Sequence, residues 1–86
     1  MPPEPKSVAK KVTRVTTTKD LGTIVRAVRL EAGIDQVEAA GLAGVGTRFL
    51  GDIERGKSTL RLGLVLQVLE RLGLEVTVAR RATGRD

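Results

Sequence analysis

Cysteine and histidine are both absent from the 86 residues. Without cysteine no disulfide can staple the chain, and without either residue a Cys/His zinc site is excluded. The same absences remove the commonest general base and the strongest nucleophile. Serine is nearly absent too: Ser7 and Ser58 are the whole supply, and both fall in segments that read as arm or loop. No pair of carboxylates stands in a pocket-like context, so the chain is expected not to be an enzyme and to hold no metal or cofactor. Long apolar runs are also missing. No stretch reaches the roughly 18 residues of a membrane span, and the N-terminal residues lack the apolar centre of a signal peptide. A cytoplasmic location with no membrane partner is the expectation. A chain this short buries only about 60–65% of the surface its unfolded form exposes. With no staple available, oligomerisation is the remaining way to enlarge the core, and a homodimer is expected.

Charge is present, and unevenly placed. The net charge is +5. Lys6, Lys10, Lys11, Arg14 and Lys19 against Glu4 give +4 in residues 1–19, and Arg80, Arg81 and Arg85 against Asp86 give +2 at the other end. The stretch between them holds seven basic and eight acidic residues. Basic ends of this kind serve nucleic acid, where phosphate neutralisation releases counterions, or act only as solvated tails. The expected organisation is a disordered basic arm over 1–18, a folded domain over 19–79 and a flexible basic tail over 80–86. Pro2, Pro3 and Pro5 support the first of these.

The folded part reads as four to five short helices. Thr18 is the expected cap of the first, with Leu21, Ile24, Val25, Val28 and Ala32 as its apolar face and Gly33 at its end. Asp35-x-x-Glu38 has the form of a capping box and starts a second helix, with Val37, Ala40 and Ala43 facing inward. Gly44-Val45-Gly46 makes a turn anchored by Val45. A third helix follows from Thr47 to Arg55, backed by Phe49, Leu50 and Ile53 and stopped by Gly56. A fourth covers about Leu62 to Leu72, with Leu62, Val65, Leu66, Leu69 and Leu72 as its core stripe. Leu74 to Ala79 alternates apolar and polar residues, the period of a strand. A lone strand cannot satisfy its own backbone groups. Its partner is either Val12–Val15 of the same chain or the same strand of a second subunit, in which case Leu74, Val76 and Val78 form the dimerisation face. The expected fold is all-α, with this strand pairing across a dimer.

Two short helices joined by a glycine-rich turn make a helix-turn-helix unit. Ala39 and Ala40 are small enough to let the pair pack closely. Thr47, Arg48, Gly51, Asp52 and Arg55 are left on the outer side of the third helix, where its N-terminal residues can reach base edges in a major groove. Arg55 and Lys57 lie past the end of that helix, near phosphates. Each residue also has a plainer reading, Arg48 as an ordinary exposed arginine and Thr47 as local polar surface. Asp52 and Glu54 are acidic and count against contact with a polyanion.

Gly33-Ile34-Asp35-Gln36-Val37-Glu38-Ala39-Ala40, Gly44-Val45-Gly46 and Asp52-Ile53-Glu54-Arg55-Gly56-Lys57 resemble the Xre/Cro-type helix-turn-helix. Lys19-Asp20-Leu21-Gly22 and Val68-Leu69-Glu70-Arg71-Leu72-Gly73-Leu74-Glu75 narrow the likeness to the HipB-type antitoxins. Gly41, Gly46 and Gly51 depart from the pattern. The resemblance implies a dimeric repressor that binds double-stranded operator DNA and restrains a HipA-type serine/threonine kinase toxin. It implies that Gln36 touches a phosphate and steadies the recognition helix, that Thr47 and Arg48 meet bases, and that Glu54 pairs with Arg29. DNA-binding residues are thus Gln36, Thr47, Arg48, Gly51, Arg55 and Lys57, with Arg29 and Glu54 as a structural ion pair. A stand-alone repressor without a toxin, and a protein-interaction module without DNA binding, are the alternatives.

Overall fold

Thr17 begins the first helix through a reciprocal cap. Its hydroxyl accepts from Asp20 N (3.0 Å), and Asp20 Oδ2 accepts from the N–H groups of Thr17 (3.1 Å) and Thr16 (2.9 Å). The cap starts α1, Thr18–Glu31. It lies one residue before the expected position, because Thr17 is the residue with extended backbone and an acidic residue three places on. The hydroxyl of Thr18 is used elsewhere and donates to Gly56 O at 2.8 Å. The folded unit therefore reaches into the segment expected to be an arm. The computed structural model describes residues 12–81; Lys6, Lys10, Lys11 and Arg85, read above as parts of the basic ends, lie outside the described residues.

The second helix, α2, Gln36–Ala43, carries the capping box of Asp35 and Glu38, with Glu38 N to Asp35 Oδ1 at 2.8 Å and Asp35 N to Glu38 Oε1 at 2.9 Å. It ends at Gly44, whose φ of +75° is left-handed and suits a residue without Cβ. Val45 N then donates back to Ala40 O (3.0 Å), and Gln67 Nε2 from across the core satisfies Ala43 O (2.8 Å). The next helix, α3, Thr47–Glu54, begins at Gly46 with no side-chain cap. The last, α4, is Leu62–Arg71.

These four helices enclose one core of Val25, Ala39, Ala40, Ala43, Leu50, Ile53, Val65, Val68 and Leu69. α1 packs on α3, and α2 packs on both α3 and α4. Leu50, Val25 and Val68 are the largest side chains fully removed from water. Three assignments of the periodic reading are corrected. On α4 the buried arc is Val65, Val68 and Leu69, while Leu62 and Leu66 are 67% and 44% exposed. At about 3.6 residues per turn, Leu62 and Leu66 fall on one flank of that arc rather than in it. Val37 is 66% exposed, because α2 turns its alanines to the core. Ala32 is exposed, since it lies past the last turn of α1.

The architecture is all-α, with no strand among the described residues. Leu74 is half-buried, its N–H bonded to Leu69 O at 2.8 Å. Beyond it Val76 and Val78 are 55% and 95% exposed and cover none of their own helices. Val12–Val15 does not pair with this segment within the chain.

Candidate nucleic-acid interface

The outer face of α3 is built from behind. Leu50 and Ile53 are buried and Phe49 is half-buried against the core, so the rotation of α3 about its axis is set by packing. That rotation leaves Thr47 and Arg48 exposed at the helix start. The first turn of α3 has no side-chain cap, so its N–H groups and the positive end of the helix dipole stand beside Arg48. Negative charge is favoured at such a position.

The far end of α3 is clamped by Glu54. Arg29 donates Nε to Glu54 Oε2 at 2.6 Å and Nη2 to Oε1 at 3.0 Å, a fork on a carboxylate. The third nitrogen, Nη1, donates to Ile34 O at 3.0 Å, so the one guanidinium joins α1, the α1–α2 turn and α3. Gln36 Nε2 adds a hydrogen bond to Glu54 Oε1 at 3.0 Å, and Arg26 Nη1 stands 3.9 Å from the same oxygen. The Arg29 and Glu54 side chains are only 7% and 4% exposed. Burial pushes the Glu54 carboxyl up, but the hydrogen bonds of Arg29 and Gln36 and the charges of Arg29 and Arg26 outweigh it and hold the group below the usual carboxylate range. The hydrogen bond to Glu54 raises the Arg29 guanidinium above its ordinary value. A fork with this many donors is fixed geometry rather than a loose surface pair.

Gln36 is thus held to the end of α3 from the first turn of α2, with its amide nitrogen on Glu54. Gly51 lies on the side of α3 that Arg55 and Gln36 cover. It is buried, because with no side chain of its own it is covered by its neighbours. A Cβ built there would stand 3.2 Å from Arg55 Nη1 and 3.7 Å from Gln36 Oε1. Arg55 bonds to Asp52, and Lys57 Nζ lies 3.8 Å from the other Asp52 oxygen. Both cations remain well exposed, while the Asp52 side chain is 15% exposed beneath them.

The close-packing role of two glycines that position α3 escaped the reading of the sequence. Gly22 is buried on α1, where a Cβ would meet Ile53 O at 2.3 Å and Glu54 O at 2.8 Å. Only hydrogen fits between the helix and that backbone. Gly56, at φ +83°, is the matching close approach, where a Cβ would meet Lys19 Cα at 2.9 Å. A glycine inside an otherwise good helix calls for a packing reason, and that was the available signal for Gly22.

Among the described residues no group of acidic side chains is placed to hold a metal ion, and no helix is long and apolar enough to cross a membrane. A shallow, mainly apolar hollow of about 150 Å³ lies between α1, α3 and α4, with Leu21, Ile53, Leu60 and Val65 in its wall. It brings no acid and base together.

Residues 25–78 match the helix-turn-helix family model. An uncharacterized HTH-type transcriptional regulator, y4mF, of Sinorhizobium fredii is 49% identical over 65 residues, which is 76% of this chain and 86% of that protein. Among solved structures, a HipA-HipB-O2-O3 complex contains a chain that superposes with a TM-score of 0.74 at 20% identity, covering 83% of this chain and 100% of that one. The clp gene regulator ClgR from C. glutamicum superposes with a TM-score of 0.62 at 27% identity, over 77% of this chain and 85% of that one.

Proposed function

The chain belongs to the helix-turn-helix family of DNA-binding transcriptional regulators, and on that basis we propose that it is a dimeric repressor that inserts α3 into the major groove of an operator. The observation that carries the reading is the contrast within α3. Its back is fixed by the core and by the Glu54 clamp, while Thr47 and Arg48 stand exposed at its uncapped start. Arg48 is the base-reading residue, suited to the O6/N7 edge of guanine, with Thr47 beside it. Arg55 and Lys57 face phosphate. Gln36 acts chiefly on Glu54, holding α2 to α3, and Gly51 serves by giving Arg55 room rather than by contact.

A second copy completes the molecule. Leu62 and Leu66 on α4 and Val76 and Val78 beyond it are exposed in one chain, and antiparallel pairing of residues 74–78 across a two-fold axis would cover apolar surface on both. The same axis would set the two recognition helices about 34 Å apart, as successive major-groove faces require. Val76→Pro removes a ladder donor and should shift the sedimenting species toward monomer; an unchanged dimer would move the interface elsewhere.

We further propose that the repressor is the antitoxin of a cytoplasmic toxin-antitoxin pair with a HipA-type kinase. Support comes from the likeness of fold to the HipB chain of a complex that contains HipA. A stand-alone repressor is the second reading, in keeping with the Sinorhizobium relative, an uncharacterized HTH-type transcriptional regulator. Co-expression with the product of the adjacent gene separates them. Co-elution with loss of kinase activity supports the antitoxin, and separate elution of two folded proteins supports the stand-alone repressor. Selection of duplexes from a random pool tests the DNA reading beneath both, since enrichment of no sequence would refute it.

A further inference from the structure

Asp52 lies on the solvent side of α3, between the exposed start of the helix and its end, and its presence there needs a reason. A carboxylate on a helix that meets a polyanion weakens binding by direct repulsion. It also occupies cations that would otherwise reach phosphate. Both cations nearest to it are occupied. Arg55, one turn on, bonds to Asp52 Oδ1, and Lys57 Nζ stands 3.8 Å from Oδ2. Arg55 is laid flat to do so, its guanidinium over Gly51, where a Cβ would come within 3.2 Å of Nη1. Gly51 supplies the room and Asp52 the charge. The arrangement does not tie elements of the fold together, because all three charged residues lie on α3 and the turn that follows it. That task belongs to Glu54.

We propose that Asp52 is a specificity-determining residue of the DNA-binding face. By holding Arg55 and Lys57 it withholds two cations from indiscriminate phosphate binding. Affinity then depends more on the base contacts of Thr47 and Arg48. Non-specific binding is supplied almost wholly by phosphate neutralisation, and each cation engaged adds about 0.9 to the slope of log affinity against log salt. Where Thr47 and Arg48 read their bases, α3 is seated closely enough for Arg55 and Lys57 to exchange Asp52 for phosphate. On arbitrary duplex the two cations stay on Asp52, so the tether lowers non-specific binding more. The proposal rests on the assignment of α3 as the recognition helix.

The test uses the full chain and two labelled duplexes, one selected from a random pool by the wild-type protein and one a scramble of it. Wild type, Asp52→Asn, Asp52→Glu and Asp52→Asn combined with Arg55→Met and Lys57→Met are titrated at several salt concentrations. For Asp52→Asn, binding to the scramble should tighten about tenfold at low salt, with a slope steeper by about 1–2. Binding to the selected duplex should gain less, so discrimination falls. Asp52→Glu, which keeps the charge, should behave as wild type, and the triple variant should lose the added slope. An Asp52→Asn protein with unchanged slope and discrimination overturns the proposal. So does one that weakens on both duplexes while its melting temperature drops, because Asp52 would then be part of the scaffold. If wild type selects no duplex at all, the DNA-binding reading falls and this proposal falls with it.

Discussion

Asp52 and Glu54 stand two residues apart on α3, about 200° around the helix at 3.6 residues per turn, and their surroundings differ accordingly. Glu54 turns inward and meets Arg29 and Gln36 from two other helices with almost no exposure to water. Asp52 turns outward and meets Arg55 and Lys57, cations of its own neighbourhood that keep most of their exposure. The charge is the same, but the energetic weight is not. A buried carboxylate has given up its hydration and depends on its partners. A partly exposed carboxylate whose partners are well-exposed cations of its own neighbourhood depends on them less. The inner face of α3 is therefore structure, and the outer face is free to be function.

The largest effect should come from breaking the inner pair. Glu54→Gln leaves Arg29 without its counter-charge in a buried site and should destabilise the domain by about 3–5 kcal/mol, with Arg29→Met comparable. Because the two act as one unit, the double variant should lose much less than the sum. Denaturant melts of the four proteins decide this, and additive small losses would mean that the pair carries no weight. A second probe of the inner face is Gly22→Ala. On an exposed helix this change would add up to about 1 kcal/mol of stability. Here the new Cβ would collide with the backbone of Ile53, so a loss of about 1–3 kcal/mol is expected. Gly41→Ala, where a Cβ meets nothing within 4 Å, should give the gain instead. Calorimetry of both variants sharpens the comparison.

The same pair sets a pH dependence. The Glu54 carboxyl is lower in the folded state than in the unfolded chain, as is that of Asp20, where the N–H groups of Thr16 and Thr17 do the lowering. A depressed carboxylate contributes stability that is present above its unfolded value, about 4, and is lost as pH falls through the folded value. The melting temperature should therefore hold from neutral pH down to about that value and decline below it, with a shallower decline in Glu54→Gln. A profile that is flat in acid would contradict the clamp.

Much of this arrangement is legible in the residues. Asp35 and Glu38 announce their capping box, Gly44-Val45-Gly46 announces the turn, and the apolar backing of α3 announces which way it faces. Local patterns are readable because the interactions that make them span three or four residues. What the pattern misses depends on how helices meet. Gly22 reads as a weak point of a helix until Ile53 O is found against it. Gly51 reads as an outward position until Arg55 is found lying across it. Val37, Leu62 and Leu66 satisfy helical spacing and still face water, because spacing defines a stripe but not which flank a neighbouring helix covers. Arg29 and Glu54 could be named as partners from family likeness. The share of Gln36 in the same carboxylate depends on the angle between α2 and α3, which no spacing encodes.

The central claim is that the back of α3 holds and its front reads. Arg48→Ala, followed in parallel by thermal melting and by binding to a duplex selected by the wild-type chain, tests it most directly. The account predicts an unchanged melting temperature, because Arg48 is exposed, together with a loss of roughly 1–3 kcal/mol in operator binding, or about 5- to 150-fold. Wild-type affinity at matched salt, or a loss of binding that is accompanied by a lowered melting temperature, would contradict it.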